Sequence, residues 1–454
     1  MILRRGAALR LALTFGLILC VCPRAFSTTN SPPNIIVIFA DDLGWGDVGF
    51  NGRTEWATPH LDRLARQGTI FRRWYTAAVV CAPSRAALLT GKYTIHCGVT
   101  ANNDDLPREE VTIAEALKPL GYATALIGKW HHGRPRPNET DYVHPMDQGF
   151  DEFFGYTDAR HAWEHFPKEL WDGRRKKPVS GYAATLLTDR AIDFVTRHRD
   201  RPFFLYLAHI IPHLYIEAPH EDVALFRCKF PERDPTRPAN ATYAAMITCL
   251  DREIGRLLKT LDDLQLSDST LVVFSSDHGA TFEAGNLGAS WFHDSNRPFR
   301  GHKRNLWEGG IRVPGVVRWP GRIPAGKVSD EIVHMIDVFP TLLAAARGKP
   351  DPAWRVDGVN LLPCWMGLAP APERTLFWEW RSEGYNQLAA MRGNLKLVRI
   401  GNNRAELFDV VADPAERRSV HAEHPQVLQQ LERELQAWLG TETESAKQGK
   451  PAPR

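Results

Sequence analysis

The sequence predicts an α/β protein with a large, mixed but mostly parallel sheet sandwiched by helices, followed by a small antiparallel sheet with one helix. Three observations lead to this prediction. Short apolar runs alternate with amphipathic helical patterns over most of the chain, and the pattern changes after about residue 346. The chain has 454 residues, of which 43% are hydrophobic, so it can bury a large core.

Four apolar runs have the length and composition of strands that are buried on both faces of a parallel sheet. They are Asn34–Ala40, Ala123–Ile127, Phe203–Leu207 and Leu271–Phe274. The helical patterns between them are Pro59–Gln67, Thr112–Leu120, Ala183–His198 and Tyr243–Leu264. Strands that alternate with helices predict crossover connections and therefore a doubly wound sheet.

The C-terminal region has a different pattern. Residues 349–374 are rich in Pro and Gly, which is typical of a linker or a surface crossing. The short strand-like segments that follow are Thr375–Trp380, Leu388–Met391, Leu395–Ile400 and Glu406–Asp409, and a last helix is predicted at Pro425–Leu439. We expect a small α+β subdomain over residues 375–440 and a disordered tail over 441–454.

Residues 1–27 have the pattern of a signal peptide. Basic residues precede the apolar run Leu11–Cys22, and Ala25 and Ser27 offer a cleavage site of small residues. The run is shorter than the roughly 20 residues that a membrane-spanning helix needs, although an uncleaved anchor is the alternative. We therefore expect an exported, soluble protein without a stable membrane anchor.

Charge and cysteine content exclude two classes of protein. The formal net charge is +3, and residues 1–27 contain four Arg and no acidic residue, so the remainder is close to neutral and nucleic-acid binding is not expected. The cysteines after residue 27 are Cys81, Cys97, Cys228, Cys249 and Cys364. Their odd number leaves at least one thiol without an intramolecular partner, and they are too few for a disulfide scaffold.

Polar side chains follow all four predicted strands. Asp41 and Asp42 follow the first run, Lys129 and His131 the second, His209 and His213 the third, and Asp277 and His278 the fourth. Ligands of open α/β sheets bind beyond the carboxyl ends of the strands, so we expect these side chains to converge there. The ordinary alternative is that the aspartates only form turns or helix caps and that the histidines are structural.

Three carboxylates at one edge predict a metal site. Asp41, Asp42 and Asp277 would repel one another and lose solvation if they were buried together, and a divalent cation would remove both problems. Carboxylate oxygens favour Ca²⁺ or Mg²⁺. His278 is a less usual ligand for Ca²⁺ and leaves the identity of the metal open.

The segment Cys81–Gly91 carries the most specific motif. Pro83 and the apolar residues behind it predict a helix, which places Cys81 at an N-terminus where free N–H groups favour an anion. Cys81 could be a nucleophile with a low pKa or an ordinary buried cysteine.

The pattern Cys-x-Pro-Ser-Arg-x-x-Leu-x-Thr-Gly resembles the sulfatase signature at every specified position. Other segments resemble the same family in the same order: Asp41-Asp42, Thr58–Asp62, Gly128–His131, Pro212-His213, Ser276–Gly279, and Lys303 ahead of Trp307–Gly310. The resemblance covers roughly residues 34–440. It is to type I sulfatases of the arylsulfatase A and N-acetylgalactosamine-6-sulfatase kind, within the alkaline phosphatase superfamily.

The resemblance implies a fold, a nucleophile and a metal. Residues 34–346 would form the catalytic domain of an alkaline phosphatase-like fold. A formylglycine-generating enzyme would convert Cys81 to Cα-formylglycine, whose hydrated gem-diol attacks sulfur and forms a covalent sulfo-enzyme. The metal, most often Ca²⁺ in this family, would be held by Asp41, Asp42, Asp277, His278 and residue 81.

The resemblance also implies roles for the remaining charged residues. Arg85 would support the gem-diol. Lys129, His213 and Lys303 would bind the sulfate and stabilise developing charge, with His213 or Lys303 protonating the leaving group. His131 would be the base that breaks down the sulfo-enzyme.

These expectations describe an enzyme that hydrolyses sulfate esters of sugars, glycosaminoglycans or aryl compounds. Many relatives carry Asn where this chain has His278, and this departure raises the alternative of a phosphonate or phosphodiester hydrolase of the same fold. A non-catalytic relative that binds sulfated glycans is the third hypothesis. Trp163, Trp171 and the basic segment 174–177 are compatible with a sulfated sugar, and His161 and His165 are either pocket residues or exposed loop residues.

Overall fold

The structure is a computed structural model that describes residues 32–133, 142–382 and 385–442. The predicted signal peptide and nearly all of the predicted tail lie outside the described residues. The described residues belong to one compact unit that begins at Pro32. Within them, no helix is long and apolar enough to cross a bilayer.

The strands of the large sheet, as far as the described residues show, number eleven. They are β1 (Asn34–Ala40), β2 (Thr69–Tyr75), β3 (Ala123–Lys129), β4 (Glu152–Tyr156), β5 (Glu169–Asp172), β6 (Arg175–Pro178), β7 (Phe203–Ala208), β8 (Thr270–Ser276), β9 (Arg312–Val313), β10 (Gly315–Arg318) and β11 (Lys327–His334). Their order is β11-β2-β10-β8-β1-β7-β3-β4-β5-β6, and β9 pairs with β2. The central strands β8, β1, β7, β3 and β4 are parallel, whereas β10, β5 and β6 are antiparallel to their neighbours. The prediction of a mixed, mostly parallel sheet is confirmed.

The second sheet is antiparallel and contains β12 (Thr375–Trp380), β13 (Gln387–Arg392), β14 (Leu395–Ile400) and β15 (Glu406–Asp409). The helices are α1 (Pro59–Arg66), α2 (Cys81–Thr90), α3 (Thr94–Cys97), α4 (Ile113–Leu117), α5 (Ala183–Arg197), α6 (His220–Ala224), α7 (Ala239–Asp263), α8 (Ala289–Phe292), α9 (Glu308–Ile311), α10 (Val338–Ala345), α11 (Leu362–Trp365) and α12 (Pro425–Leu439). All four predicted C-terminal strands and the last helix are present.

The central strand β1 explains how the core is built. Alternating side chains point to opposite faces of a sheet, so Ile35 and Phe39 pack into one hydrophobic cluster while Ile36 and Ile38 pack into another. All four are essentially inaccessible to solvent. Because helices cover both faces, the run needs no polar residue, and this is why its sequence is uninterrupted.

Strand β2 was not predicted from the sequence, and its charged residues explain why. Within β2, Arg72 is exposed and pairs with Asp330, while Arg73 is buried against the loop at Asn394. Because Arg72 and Arg73 interrupt its apolar residues, the sequence of β2 does not read as a buried strand.

The motif helix α2 begins at Cys81, two residues before the predicted start at Pro83.

The five described cysteines form no disulfide. Cys81, Cys97, Cys249 and Cys364 are buried, and Cys228 is exposed. We expected at least one unpaired thiol, and all five cysteines that the structure describes are unpaired.

A buried ion-pair network joins the two sheets. Lys396 on β14 is inaccessible to solvent, and its Nζ lies 2.9 Å from Oε1 of Glu308 and 2.9 Å from Oε1 of Glu416. The hydroxyl of Tyr75 donates to the other oxygen of Glu308 at 2.8 Å. Glu308 begins α9, so the small sheet fixes a segment that lies five residues after Lys303.

Loss of the Lys396 ammonium should destabilise the protein. We expect Lys396→Met to lower the free energy of unfolding by about 3–5 kcal/mol, because Glu308 and Glu416 would stay buried without their cation. Urea denaturation followed by circular dichroism measures the change. The exposed Lys349→Met is the control and should shift stability by less than about 0.5 kcal/mol. Equal stability of the two variants would contradict the network's role.

Candidate active site

The polar clusters that follow four neighbouring strands meet at one edge of the sheet. Strands β8, β1, β7 and β3 are adjacent and parallel, so their carboxyl ends point the same way. Asp41 and Asp42 follow β1, Lys129 ends β3, His213 follows β7, and Asp277 and His278 follow β8. Each of these side chains is at most 3% exposed. The sheet topology therefore assembles residues that are far apart in sequence.

The backbone at this edge is held in an unusual conformation. Asp42 has a φ of 65° and His131 a φ of 71°, in the left-handed region that residues with a Cβ rarely adopt. The amide of Asp42 donates to Oδ1 of Asp277 at 3.1 Å, which holds the turn after β1 against the end of β8. Strained residues of this kind cluster at functional sites.

Helix α2 brings Cys81 and Arg85 into the same cluster. The Sγ of Cys81 lies 3.3 Å from Nε2 of His278 and 3.6 Å from Oδ1 of Asp41. Arg85 follows one helical turn later, so it shares the same face, and its guanidinium lies 3.1 Å from Oδ2 of Asp277 and 3.4 Å from Oδ2 of Asp41. The Oδ1 of Asn102 accepts from the amide of Ala82 and satisfies one free N–H of the helix start.

Two lysines and two histidines line the cluster. Lys129 Nζ lies 2.6 Å from Oδ2 of Asp41, and Lys303 Nζ lies 3.0 Å from Oδ1 of Asp42. His213 faces Lys303, with 3.4 Å between Nε2 and Nζ. His131 also interacts with Cys81.

Burial and crowding shift the pKa values of the site. Burial raises the pKa of Asp277 to about 7, and the neighbouring charge of Asp41 adds to this effect. Burial also opposes ionisation of Cys81, but Lys129, Lys303 and His278 together lower its pKa well below the ordinary value. Residue 81 therefore lies in a field that stabilises a negative charge.

The donor set fits a divalent cation. Ligand atoms of Asp41, Cys81, Asp277 and His278 lie within 4.8 Å of one another, and the same holds for Asp41, Asp42, Cys81 and His213. The pKa of Asp277 is raised first by burial and then by the neighbouring charge of Asp41, and a bound cation would offset both effects. Oxygen ligands suit Ca²⁺ or Mg²⁺, and His278 adds one nitrogen.

All residues predicted for the site lie together in this cluster, including Arg85, Lys129, His131 and Lys303. His209 is the exception among the strand-end residues. It is completely buried, and neither ring nitrogen has a hydrogen-bond partner among the described residues. The structure distinguishes the two histidines that the sequence left open. His165 is buried, and its Nε2 donates to the carbonyl of His213 at 3.0 Å. His161 is half-buried, and its Nε2 donates to the backbone carbonyl of Glu169.

Glu283 was not identified from the sequence as a residue of the site. Its Oε2 lies 3.0 Å from Nζ of Lys303, and its Oε1 lies 2.7 Å from Arg304. Glu283 therefore orients one of the cations of the site. It stands in a loop without a motif, and only its position six residues after Asp277 could have drawn attention to it.

The sequence matches the sulfatase family over residues 33–349 and the C-terminal region of N-sulphoglucosamine sulphohydrolase over residues 300–441. N-acetylgalactosamine-6-sulfatase of Canis lupus familiaris is 34% identical, and the match covers 76% of this chain and 68% of that protein. Steryl-sulfatase of Mus musculus is also 34% identical, with 80% and 70% covered.

The solved structures agree with these sequence matches. The crystal structure of Ps i-CgsB in complex with k-i-k-neocarrahexaose has a TM-score of 0.83 and 30% identity, covering 92% of this chain and 94% of that chain. The phosphonate monoester hydrolase of Agrobacterium radiobacter has a TM-score of 0.66 and 21% identity, covering 90% and 96%, and shows the fold alone. The alkaline phosphatase-like fold implied by the resemblance is confirmed.

Removal and return of a divalent cation should change stability. We expect protein dialysed against a chelator to bind one Ca²⁺ per chain by calorimetry, with about 2.7 kcal/mol of stabilisation at a hundredfold excess over the dissociation constant. Asp277→Asn should abolish this binding because it removes a buried carboxylate, while Asp330→Asn, an exposed carboxylate on β11, should not. Absence of binding by both Ca²⁺ and Mg²⁺ would contradict the metal site.

Proposed function

The chain belongs to the sulfatase family, the enzymes that hydrolyse sulfate esters, and from this premise we propose that it is an exported enzyme that removes sulfate from sulfated carbohydrates. The nucleophile would be formylglycine made from Cys81 by a formylglycine-generating enzyme, and one divalent cation, most simply Ca²⁺, would assist it. The single observation that supports the proposal most strongly is the position of Cys81 among buried carboxylates and cations.

The metal would supply positive charge that offsets the carboxylates and polarises a sulfate oxygen. Asp41, Asp42, Asp277 and His278 are the residues that would hold it, together with residue 81. Formylglycine would supply a hydroxyl nucleophile whose second hydroxyl allows the sulfate to be expelled afterwards. Arg85, which is bonded to Asp277 and lies near Asp41, is placed to orient residue 81.

The cations of the site would bind the transferred group. Lys129 pairs with Asp41 and Lys303 pairs with Asp42, and both lysines are buried. A buried ammonium interacts more strongly with a sulfate oxygen than an exposed one does, because water screens it less. His213, beside Lys303, is placed to protonate the leaving oxygen.

His131 would accept the proton that must leave residue 81 for sulfate to be released. The interaction of its imidazole with Cys81 supports this role. In this proposal the two proton transfers are separate, with His131 acting at the nucleophile and His213 at the leaving group.

Carbohydrate substrates are supported by the names of similar proteins. N-acetylgalactosamine-6-sulfatase acts on a sulfated sugar by name, and Ps i-CgsB was crystallised with an oligosaccharide. Export is supported by the signal-peptide pattern of residues 1–27. The phosphonate or phosphodiester hydrolase hypothesis predicts faster hydrolysis of phosphorus esters, and a non-catalytic binder predicts none, so one set of assays separates the three.

Cys81 should be modified and essential. We expect mass spectrometry of the Cys81 peptide, from protein produced with a formylglycine-generating enzyme, to show the aldehyde in place of the thiol. This protein should release sulfate from 4-nitrophenyl sulfate faster than phosphate from 4-nitrophenyl phosphate. Cys81→Ala should abolish release, and Cys228→Ala, an exposed free cysteine, should not. An unmodified thiol in fully active protein, or a preference for phosphate, would refute the proposal.

Replacement of His131 should impair turnover more than binding. We expect His131→Ala to lower kcat by about 10²–10⁴-fold, because the general base is lost, with little change in sulfate inhibition. Steady-state kinetics with inorganic sulfate as inhibitor measure both quantities. His198→Ala, whose imidazole pairs with Glu152 far from the site, is the control. A normal kcat for His131→Ala would assign the base role elsewhere.

A further inference from the structure

Five aromatic side chains lie at the surface next to His213 and Lys303; Tyr215 and Trp291 are exposed, and the other three are half-buried. We infer that this aromatic ridge, defined as Trp163, Tyr215, Phe282, Trp291 and His302, is a binding site for the sugar rings of an oligosaccharide on the leaving-group side of the sulfate. The inference rests on the proposed function and adds to it the size of the substrate and the residues that select it.

The first part of the ridge is the pair Trp163 and Tyr215. Their ring centroids are 5.8 Å apart in an edge-to-face arrangement. Tyr215 is 52% exposed although it stands only two residues after His213, which is 3% exposed. The chain therefore passes from the buried site to the surface within two residues and presents an aromatic ring there.

The second part of the ridge is formed by Phe282, Trp291 and His302. The ring of Phe282 lies 4.9 Å from that of Trp291 and 4.5 Å from that of His302. Trp291 is 71% exposed. Phe282 follows His278 by four residues and His302 directly precedes Lys303, so this part is also tied to the site by its neighbours in the chain.

The two parts are contiguous through Gly285. A Cβ at Gly285 would lie 3.0 Å from Leu214 Cβ and 3.0 Å from Tyr215 Cδ1, so the loop that carries Phe282 packs directly against the segment of Tyr215. Beneath them, His213 and Lys303 are in contact with each other. A leaving group protonated by either residue would therefore lie next to the ridge.

The chemistry of the ridge suits carbohydrate. Clustered exposed aromatic rings often mark a binding surface, because removing their apolar surface from water by contact with a ligand is favourable. A pyranose offers an apolar face of C–H groups for such rings and hydroxyls at its edge. Glu283 and Arg304, which pair at 2.7 Å beside Phe282, and His302 supply hydrogen-bonding groups for those hydroxyls.

The extent of the ridge indicates more than one sugar. Each part of the ridge is a separate cluster of rings and offers its own stacking surface. Two ring clusters side by side therefore fit at least two consecutive sugar units. The structure thus favours oligosaccharides over sulfated monosaccharides and simple aryl sulfates.

Exposed aromatic residues can be removed without disturbing the fold. The experiment compares Tyr215→Ala and Trp291→Ala with wild type on 4-nitrophenyl sulfate and on two sulfated hexasaccharides, k-i-k-neocarrahexaose and a chondroitin 6-sulfate hexasaccharide. Phe166→Ala is the control, because Phe166 is 48% exposed and contacts Tyr182 rather than the ridge. Calorimetry measures the binding of each hexasaccharide to the same proteins after Cys81→Ala has also been introduced, so that the ligand is not cleaved.

We expect each ridge variant to raise KM and the dissociation constant for the accepted hexasaccharide about tenfold, as loss of a stacking anchor does. The kcat/KM for 4-nitrophenyl sulfate should stay within about twofold of wild type. Hexasaccharide kinetics equal to wild type in both ridge variants would overturn the ridge and leave the proposed function intact. So would a wild-type enzyme that cleaves 4-nitrophenyl sulfate but neither binds nor cleaves either hexasaccharide. Absence of sulfate release from every compound would overturn the proposed function itself.

Discussion

The burial of three carboxylates at one edge of the sheet is the constraint on which the rest of the site depends. Asp41, Asp42 and Asp277 are almost inaccessible to solvent, and such groups cannot remain ionised together without compensating positive charge. Lys129, Arg85 and Lys303 provide part of that charge, each from a different element. The arrangement of cations that would bind a sulfate is thus also what allows the carboxylates to stay charged. The proposed binding of a metal and of an anion would therefore be coupled to folding through the same few groups.

The sequence was most informative where one physical rule acts alone. The run Asn34–Ala40 is a strand buried on both faces, so apolar residues are favoured at every position. The C-terminal strands Leu395–Ile400 and Glu406–Asp409 have the predicted bounds. The strand-end clusters were predictable because parallel strands share one edge. The signature beginning at Cys81 added the chemistry, which no periodicity could supply.

Other features depend on contacts that no local pattern encodes. Strand β2 contains Arg72 and Arg73, whose partners Asp330 and Asn394 lie far along the chain. Glu283 contacts Lys303 only because the loop after β8 folds back over the site. The residues of the proposed aromatic ridge belong to this same category, since loop residues have neither a period nor a fixed spacing. The sequence singled out only Trp163 among them, and its position beside Tyr215 is visible only in the structure.

The network around Lys396 has a consequence for the order of events during biosynthesis. Cys81 is 1% exposed in the folded protein, so a modifying enzyme can reach it only while the chain is still unfolded. The segment containing Lys303 and Glu308 is fixed by Lys396 and Glu416, which leave the ribosome late. Because Lys396 and Glu416 are translated more than 300 residues after Cys81, the proposed modification would fall in the interval before they fix this segment.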